Sequence, residues 1–284
     1  MNFHESLAQK EKNMKTTKMI SKIAGVILAG LIAVSFAGCK EKGAETSSKG
    51  GASNIEKLKA GTPAPESDFE VKLLEDGRGC LITQYKGKAK NLVVPQTIQG
   101  KQVIGVSLDA WEPNKSTETV VFPEGMLELR SIYQLNNLKT IVLPSTVRYF
   151  GGVAYTKLTH IDLPDYVTLG ERALNQFKSV TLPEHVAFTA CEDCLGYELE
   201  DVTVPENISA VLFDNATPWQ NNLYAYFDNE QIKQNFALVE KLKKIPVKQC
   251  LYDCDEQYAY DYDELCKFIE EGYYIPLKKS DYLF

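Results

Sequence analysis

The sequence predicts a mainly β protein with some α-helix: a repeat solenoid with a parallel sheet, a β-hairpin cap at its N-terminal end and a helical cap at its C-terminal end. Between Asn91 and Asn207, six short apolar runs each end in a proline, and these prolines are 28, 21, 20, 19 and 22 residues apart. A recurring period near twenty residues indicates stacked structural repeats. The six runs are Leu92–Pro95, Val120–Pro123, Ile141–Pro144, Ile161–Pro164, Val180–Pro183 and Val202–Pro205.

Three positions in each repeat predict the core. The residues one and three before each proline, and the residue three after it, are apolar in all six repeats. Residues two apart on a strand share a face, so the two positions before the proline point to the same side. Proline ends each strand because it has no N–H to donate to a ladder. A single repeat cannot bury its apolar face alone, so we expect the repeats to stack.

The positions between these core residues are predicted to face outward and to form the binding face. Its first half is apolar at Val93, Val121 and Val142, and its second half is polar or charged. The predicted binding residues are Val93, Val121, Val142, Thr140, His160, Asp162, Thr181, Asp201 and Thr203. A solvated surface without a ligand is the alternative, since the outward residues of a half-exposed sheet are polar in any case.

The N-terminal segment predicts a signal peptide over residues 1–38. Basic residues precede a 14-residue apolar run, Ile23–Phe36, and small residues follow it directly before Cys39. This order is typical of secretory signals, and the run is shorter than the ~20 residues that a membrane-spanning helix needs. The site resembles a bacterial lipobox, which implies lipidation of Cys39 and attachment to a membrane of the cell envelope. The outer membrane or cell surface is favoured, and the periplasmic side is the alternative.

Residues 39–66 are predicted to be the lipidated N-terminus and a flexible tether, because Gly, Ser, Lys, Glu, Ala and Pro dominate them. The solenoid with its N-terminal cap is predicted over residues 67–208. Its cap is a hairpin formed by an alternating strand at Phe69–Leu73 and a return strand at Cys80–Tyr85.

This opening region resembles a known family. Asp76-Gly77, Ile82–Gly87, Val94–Gly105 and Ala110-Trp111 are similar to the first module of BspA-like, treponemal-type bacterial leucine-rich repeats. The resemblance extends from about Phe69 to Ile208. It implies a leucine-rich-repeat domain that binds a protein, such as a host or matrix protein, through its outward strand residues, with adhesion as one form of that function.

Residues 209–284 are predicted to cap the far end of the solenoid. Asp228 and Gln231 have the spacing of a capping box, and Ile232, Phe236, Val239 and Leu242 recur at helical spacing after it. A second helix is predicted from Asp261, with Leu265, Phe268 and Ile269 on its apolar side. The segment between the two helices is rich in Asp and Tyr but lacks the glycine and ligand order of a calcium-binding EF-hand loop.

Seven cysteines occur, and six remain once Cys39 is assigned to lipidation. An even number agrees with an oxidising envelope compartment, where disulfides form. Five of the six are candidates for disulfides, with their pairing left open: Cys191, Cys194, Cys250, Cys254 and Cys266. Cys191 and Cys194 are also candidates for a thiol oxidoreductase, although neither a thioredoxin-like context nor a zinc ligand set surrounds them.

Charge and motifs narrow the function further. A net charge of −7 argues against nucleic-acid binding, which needs a basic face. No phosphate-binding loop, H-E-x-x-H or G-x-S-x-G motif is present, so we expect no enzyme activity, no cofactor and no metal. The leading hypothesis is a membrane-anchored lipoprotein that binds a protein. A structural or assembly role in the envelope and a thiol oxidoreductase are the alternatives.

Overall fold

The chain folds as a solenoid in which each repeat forms one coil around a continuous apolar core. The computed structural model describes residues 56–74, 77–107, 110–170, 172–189, 195–213, 232, 234–250, 252–253, 258–259 and 262–273. The predicted signal peptide, Cys39, Asp228, Cys191, Cys194 and Cys254 lie outside these residues.

The six apolar runs before the prolines are short parallel strands, as the repeat pattern predicts. They form two separate three-stranded sheets, which we call the first and second pre-proline sheets. The first contains β3 (Asn91–Val93), β6 (Thr119–Val121) and β9 (Thr140–Val142), and the second contains β12 (His160–Asp162), β14 (Ser179–Thr181) and β16 (Asp201–Thr203). Equivalent residues of neighbouring strands are paired, so Val93, Val121 and Val142 form one row and Asp162, Thr181 and Thr203 form another.

A larger sheet runs along another side of the coils, and the sequence pattern did not predict it. We call it the main sheet; its ten strands are parallel except in the N-terminal hairpin and where Thr97–Ile98 pairs with Lys101–Val106, and they follow the prolines of most coils. Its strands are β1 (Phe69–Leu73), β2 (Cys80–Tyr85), β4 (Thr97–Ile98), β5 (Lys101–Val106), β7 (Glu128–Leu129), β10 (Tyr149–Phe150), β13 (Val167–Leu169), β15 (His185–Phe188), β17 (Ser209–Phe213) and β18 (Val247–Cys250). The prediction of one strand per repeat was therefore incomplete, because a further strand of two to six residues follows the proline.

Two shorter pairings complete the β structure. β8 (Ile132–Tyr133) pairs in parallel with β11 (Val153–Ala154) on a third side of the coils. β19 (Tyr252–Asp253) pairs with β20 (Tyr258–Ala259) in antiparallel orientation near the C-terminus.

The three predicted core positions do point inward. The residue three before the proline is at most 2% exposed in five repeats, and the residue three after it is buried in all six. Ile141 is half-buried while its neighbour Val142 is buried. At the position one before the proline, Leu143, Leu163 and Val204 are also half-buried, although all four residues pack against the core. The core is completed by main-sheet residues such as Phe150 and Phe188, both fully buried.

The N-terminal cap is the predicted hairpin. β1 and β2 pair in antiparallel orientation, and β2 then pairs in parallel with β5, so the hairpin continues the main sheet. Residues 61–64 lie against β3: the Ala64 N–H donates to the Val93 carbonyl at 2.9 Å. The end of the predicted tether therefore contacts the solenoid.

The C-terminal cap contains the two predicted helices, with corrected roles. α1 (Phe236–Leu242) begins after Asn235, whose side chain accepts a hydrogen bond from the Leu238 N–H at 3.1 Å. Leu238, Val239 and Leu242 are buried in the core and close the solenoid beside β16. Phe236 was predicted on this apolar face, but it is 72% exposed, since the buried face is formed by Leu238, Val239 and Leu242.

The second helix does not close the end of the solenoid. α2 (Tyr262–Glu270) packs through Phe268 on a separate apolar cluster with Ala187, Val211 and Phe213. Ala187 and Val211 alternate along their strands with core residues, so they point to the opposite side of the main sheet. α2 therefore covers the outer face of the main sheet at its C-terminal end.

The burial pattern predicts a large difference between two equivalent substitutions. Phe150→Ala, in the middle of the main sheet, should lower the free energy of unfolding by about 3–5 kcal/mol, because it leaves a cavity where coils stack. Phe236→Ala removes the same atoms from a side chain that is 72% exposed, and it should change this free energy by less than about 0.5 kcal/mol. Urea unfolding of both variants measures the difference, and equal losses would contradict the assigned core.

Candidate functional site

The apolar half of the predicted binding face is closed. Val121 and Val142 are only 4% and 7% exposed, and Thr140 and Val93 are half-buried. Residues 61–64 lie over Val93: a Cβ placed on Gly61 would come within 2.8 Å of a Val93 methyl group. The prediction is therefore wrong for Val121 and Val142, which solvent barely reaches, and Val93 is partly covered by residues 61–64.

The polar half is open to solvent on the second pre-proline sheet. Asp162 is 84% exposed and Asp201 is 59% exposed at their side chains, and Thr181 and Thr203 are exposed beside them. The parallel register brings His160, Ser179 and Asp201 into one row. The predicted residues His160, Asp162, Thr181, Asp201 and Thr203 thus form one continuous surface.

His160 is held in place on this surface by two hydrogen-bonding partners. Its Nδ1 lies 3.2 Å from Ser179 Oγ, and its Nε2 lies 3.2 Å from Asp162 Oδ1. A hydroxyl, an imidazole and a carboxylate in this order have the composition of a catalytic triad, which the sequence did not reveal. In working triads the carboxylate is buried, whereas Asp162 is the most solvent-exposed of the three groups. The arrangement therefore lacks the buried carboxylate of a working triad, and its two contacts hold the His160 ring in one orientation.

Asp201 connects the surface to the C-terminal cap. Lys241 of α1 donates to Asp201 Oδ1 at 2.5 Å, and this hydrogen bond holds the pKa of Asp201 below its ordinary value. Asn235, the residue before α1, donates its side-chain N–H to the Glu200 carbonyl at 2.6 Å. These two contacts attach α1 to the edge of the sheet that carries the predicted binding residues.

A row of charges follows the corner that leads into the pre-proline strands. The residue five before each proline alternates in charge along most of the array. This alternation can be read in the sequence, but only the structure shows that neighbouring residues form ion pairs. The six residues are Lys90, Glu118, Lys139, Thr159, Lys178 and Glu200. Glu118 lies 3.5 Å from Lys90 and 3.2 Å from Lys139, and Lys178 lies 2.6 Å from Glu200.

These ion pairs shift the pKa values of their members in the expected directions. The hydrogen bond from Lys139 holds the pKa of Glu118 below its ordinary value, with Lys90 adding to the effect. The hydrogen bond to Glu200 raises the pKa of Lys178. We call this row the ionic ladder; Thr159 interrupts it.

His185 lies on the main sheet and packs against a neighbouring aromatic ring, apart from the exposed surface around His160. Its backbone N–H donates to Asp165 Oδ1 at 2.8 Å, and its ring stacks on Tyr166 with centroids 4.2 Å apart. Tyr273, which follows α2, contacts Tyr166 edge-on and donates its hydroxyl hydrogen to the Ser209 carbonyl at 3.0 Å. This aromatic cluster fixes the chain after α2 to the main sheet.

The described thiols show no redox or metal centre. Cys80 is buried, and burial raises the pKa of its thiol, which disfavours the reactive thiolate. Cys266 lies on α2, and Cys250 ends β18. Within the described residues, no three His, Cys, Asp or Glu side chains gather as ligands for a metal ion. None of the described helices has the length and apolar character to cross a membrane.

A groove of about 420 Å³ lies beside α1 at the end of the second pre-proline sheet. Ligand pockets of this volume are mostly apolar, whereas Glu198, Glu200, Gln234 and Asn235 account for much of this lining. The groove is therefore better suited to water and polar groups than to a small apolar ligand.

The Asp201–Lys241 pair predicts a pH-dependent attachment of α1. Because the pKa of Asp201 is lower in the folded chain than in the unfolded chain, where it is about 3.9, the pair stabilises the fold above that pH. The contribution disappears as pH falls through the folded-state pKa. Asp201→Asn should lower the free energy of unfolding at pH 6 by less than about 1 kcal/mol, since exposed pairs are weak, and by a smaller amount at pH 2.

The control is the same comparison in a Lys241→Met chain, where the pH dependence should vanish. Urea unfolding at both pH values measures it. A loss that is equal at pH 2 and pH 6 would contradict the role of the pair.

No protein-family model matches the chain, and no curated protein matches its sequence. Among solved structures, the chain is similar to the crystal structure of a leucine-rich-repeat protein of T. pallidum. The two share 21% identity, and the alignment covers 66% of this chain and 98% of that chain with a TM-score of 0.41.

Proposed function

We propose that this chain is a bacterial envelope lipoprotein that is anchored through Cys39 and binds a protein partner, without catalysis. The observation that carries the proposal is the second pre-proline sheet, where five predicted binding residues form one exposed surface on a rigid scaffold. Hydroxyl, carboxylate and imidazole groups project from paired strands, so their spacing is set by the backbone. Sites on regular strands hold their side chains more accurately than sites on loops.

The second pre-proline sheet is too small to form a whole protein interface by itself. Three strands of three residues cover roughly 10 Å by 10 Å, since strands are about 4.8 Å apart and rise about 3.3 Å per residue. A stable protein interface buries about 800 Å² on each partner. The contact must therefore extend beyond the sheet onto the neighbouring corners of the coils, which carry further polar groups.

The proposed anchor rests on the sequence around Cys39, which resembles a lipobox. Two or more acyl chains hold a protein stably on a membrane, whereas one chain does not. If the solenoid is displayed outward, this surface can bind host or neighbouring cells and act in adhesion. If it faces the periplasm, the same surface serves assembly within the envelope.

The partner-binding proposal predicts that charge changes on the exposed sheet abolish binding without unfolding the chain. Thr181→Lys combined with Thr203→Lys should remove capture of the partner by the full-length protein in detergent, because both side chains are exposed and adjacent in one row. The melting temperature should change by less than about 2 °C. Crosslinking pull-downs from envelope fractions, with mass spectrometry, measure the binding.

The matched control is Val142→Lys, which places the same charge at a buried position of the first pre-proline sheet. It should lower the melting temperature strongly, because a buried unpaired charge is costly. Undiminished capture by the double lysine variant would rule out the second pre-proline sheet as the binding face.

The anchoring proposal predicts that Cys39→Ser releases the protein from membranes. Wild-type chains should incorporate a radiolabelled fatty acid and sediment with membranes, and the Cys39→Ser chain should do neither. The matched control is Cys80→Ser, which changes a cysteine inside the solenoid and should leave lipid labelling intact. Protease treatment of intact cells then separates outward from inward display, because an inward-facing solenoid is shielded. Lipid incorporation into Cys39→Ser would disprove this anchor.

A further inference from the structure

Four departures from the repeat pattern fall on one coil, the stretch from Tyr155 to Asp162, which we call the irregular coil. The first is a break in pairing: β9 and β12 belong to separate sheets. On the main sheet the same two coils remain paired, with Tyr149 opposite Thr168. The coils therefore stay stacked while the pre-proline side is interrupted.

The second departure is Tyr155. It directly follows β11, and the parallel pairing of β11 with β8 aligns it with Gln134 on the preceding coil, which is also exposed. Tyr155 is 75% exposed and adopts a left-handed backbone conformation with φ of +57°. Gln134 adopts the same conformation with φ of +63°, so the turn itself belongs to the repeat. The departure is the side chain, because a large aromatic ring is presented to solvent where the preceding coil has a polar amide.

The third departure is the interruption of the ionic ladder at Thr159. Its alternation places a lysine on each side, Lys139 on the preceding coil and Lys178 on the following coil, so the pattern calls for an acid at 159. Both lysines are more than half exposed although each is paired with a glutamate. An ammonium group has three donors, so each lysine can bind a second carboxylate.

The fourth departure is the change in the outward row from Val142 to Asp162. The side chain is buried before the break and 84% exposed after it. From Tyr155 to Asp162, the residues at 155, 157, 159, 160 and 162 are all exposed. The irregular coil is therefore an exposed strip that leads directly onto the second pre-proline sheet.

We propose that the irregular coil docks an acidic segment of the protein partner, with a carboxylate of that segment above Thr159 between Lys139 and Lys178 and with Tyr155 packed against it. This inference rests on the proposed protein-binding function and states where on the solenoid the partner docks and what charge it carries. The partner thus supplies the carboxylate that the ionic ladder lacks at Thr159. Tyr155 supplies apolar contact area, as tyrosines do at protein interfaces.

The test uses full-length protein in detergent and an array of synthetic decapeptides. Every acidic peptide has a counterpart in which Asp and Glu are replaced by Asn and Gln. The wild-type chain should retain acidic peptides at least about five-fold more strongly than their counterparts in low salt, and this preference should fall as salt screens the charges. Equal retention of the two sets would overturn the proposal.

Two substitutions at one position separate charge from shape. Thr159→Glu supplies the missing acid within the chain, so it should reduce the preference for acidic peptides to about one-fold while leaving the melting temperature unchanged or higher. Thr159→Gln adds a side chain of the same size without charge, and it should retain the preference. A Thr159→Glu chain that still prefers acidic peptides would refute the docking position.

Tyr155→Asn tests the aromatic contact with a residue that tolerates the left-handed conformation. It should lower the retention of the bound peptides about five-fold without loss of stability, and undiminished retention would remove Tyr155 from the proposal. The outcome is also separable from that of the proposed function. If the partner in the envelope pull-down is captured equally by wild-type and Thr159→Glu chains, this inference fails and protein binding stands.

Discussion

Stacking in register is the constraint on which the rest of the structure depends. No coil has enough neighbours within itself to bury its own apolar residues, so each buries them against the coils on either side. The inward positions are consequently uniform, and residues such as Val120, Ile161 and Val180 differ only in size. The outward positions carry no such requirement, and they are free to vary where a partner or solvent meets the chain.

The two ends of the stack need separate solutions because each exposes a set of core residues. At the N-terminal end, a β-hairpin extends the main sheet and residues 61–64 cover β3. At the C-terminal end, α1 inserts apolar side chains beside β16 and is fastened by Lys241. Different secondary structures thus perform one task, since either can present an apolar face to the last coil.

The proline pattern predicted the pre-proline strands, their inward residues and the hairpin cap, because a period of two on a strand and a period of twenty along the chain are both visible in sequence. It did not predict the main sheet. Some strands of this sheet have only two residues, which is too short for a recognisable alternation of apolar and polar side chains. It also misplaced Val121 and Val142, since outward orientation does not establish exposure. Phe236 had the right spacing for a buried helix face, but that face is formed by Leu238, Val239 and Leu242.

A departure from the pattern is more informative in a repeat protein than in a globular one, because the neighbouring coils show what the fold alone requires. Gln134 shows that position 155 accepts a polar side chain in the same turn, and the Lys–Glu pairs show that position 159 accepts an acid. Neither Tyr155 nor Thr159 is therefore dictated by stacking. Random drift would scatter such departures over the array, whereas a binding site would concentrate them on adjacent coils, and here they coincide with the break between β9 and β12.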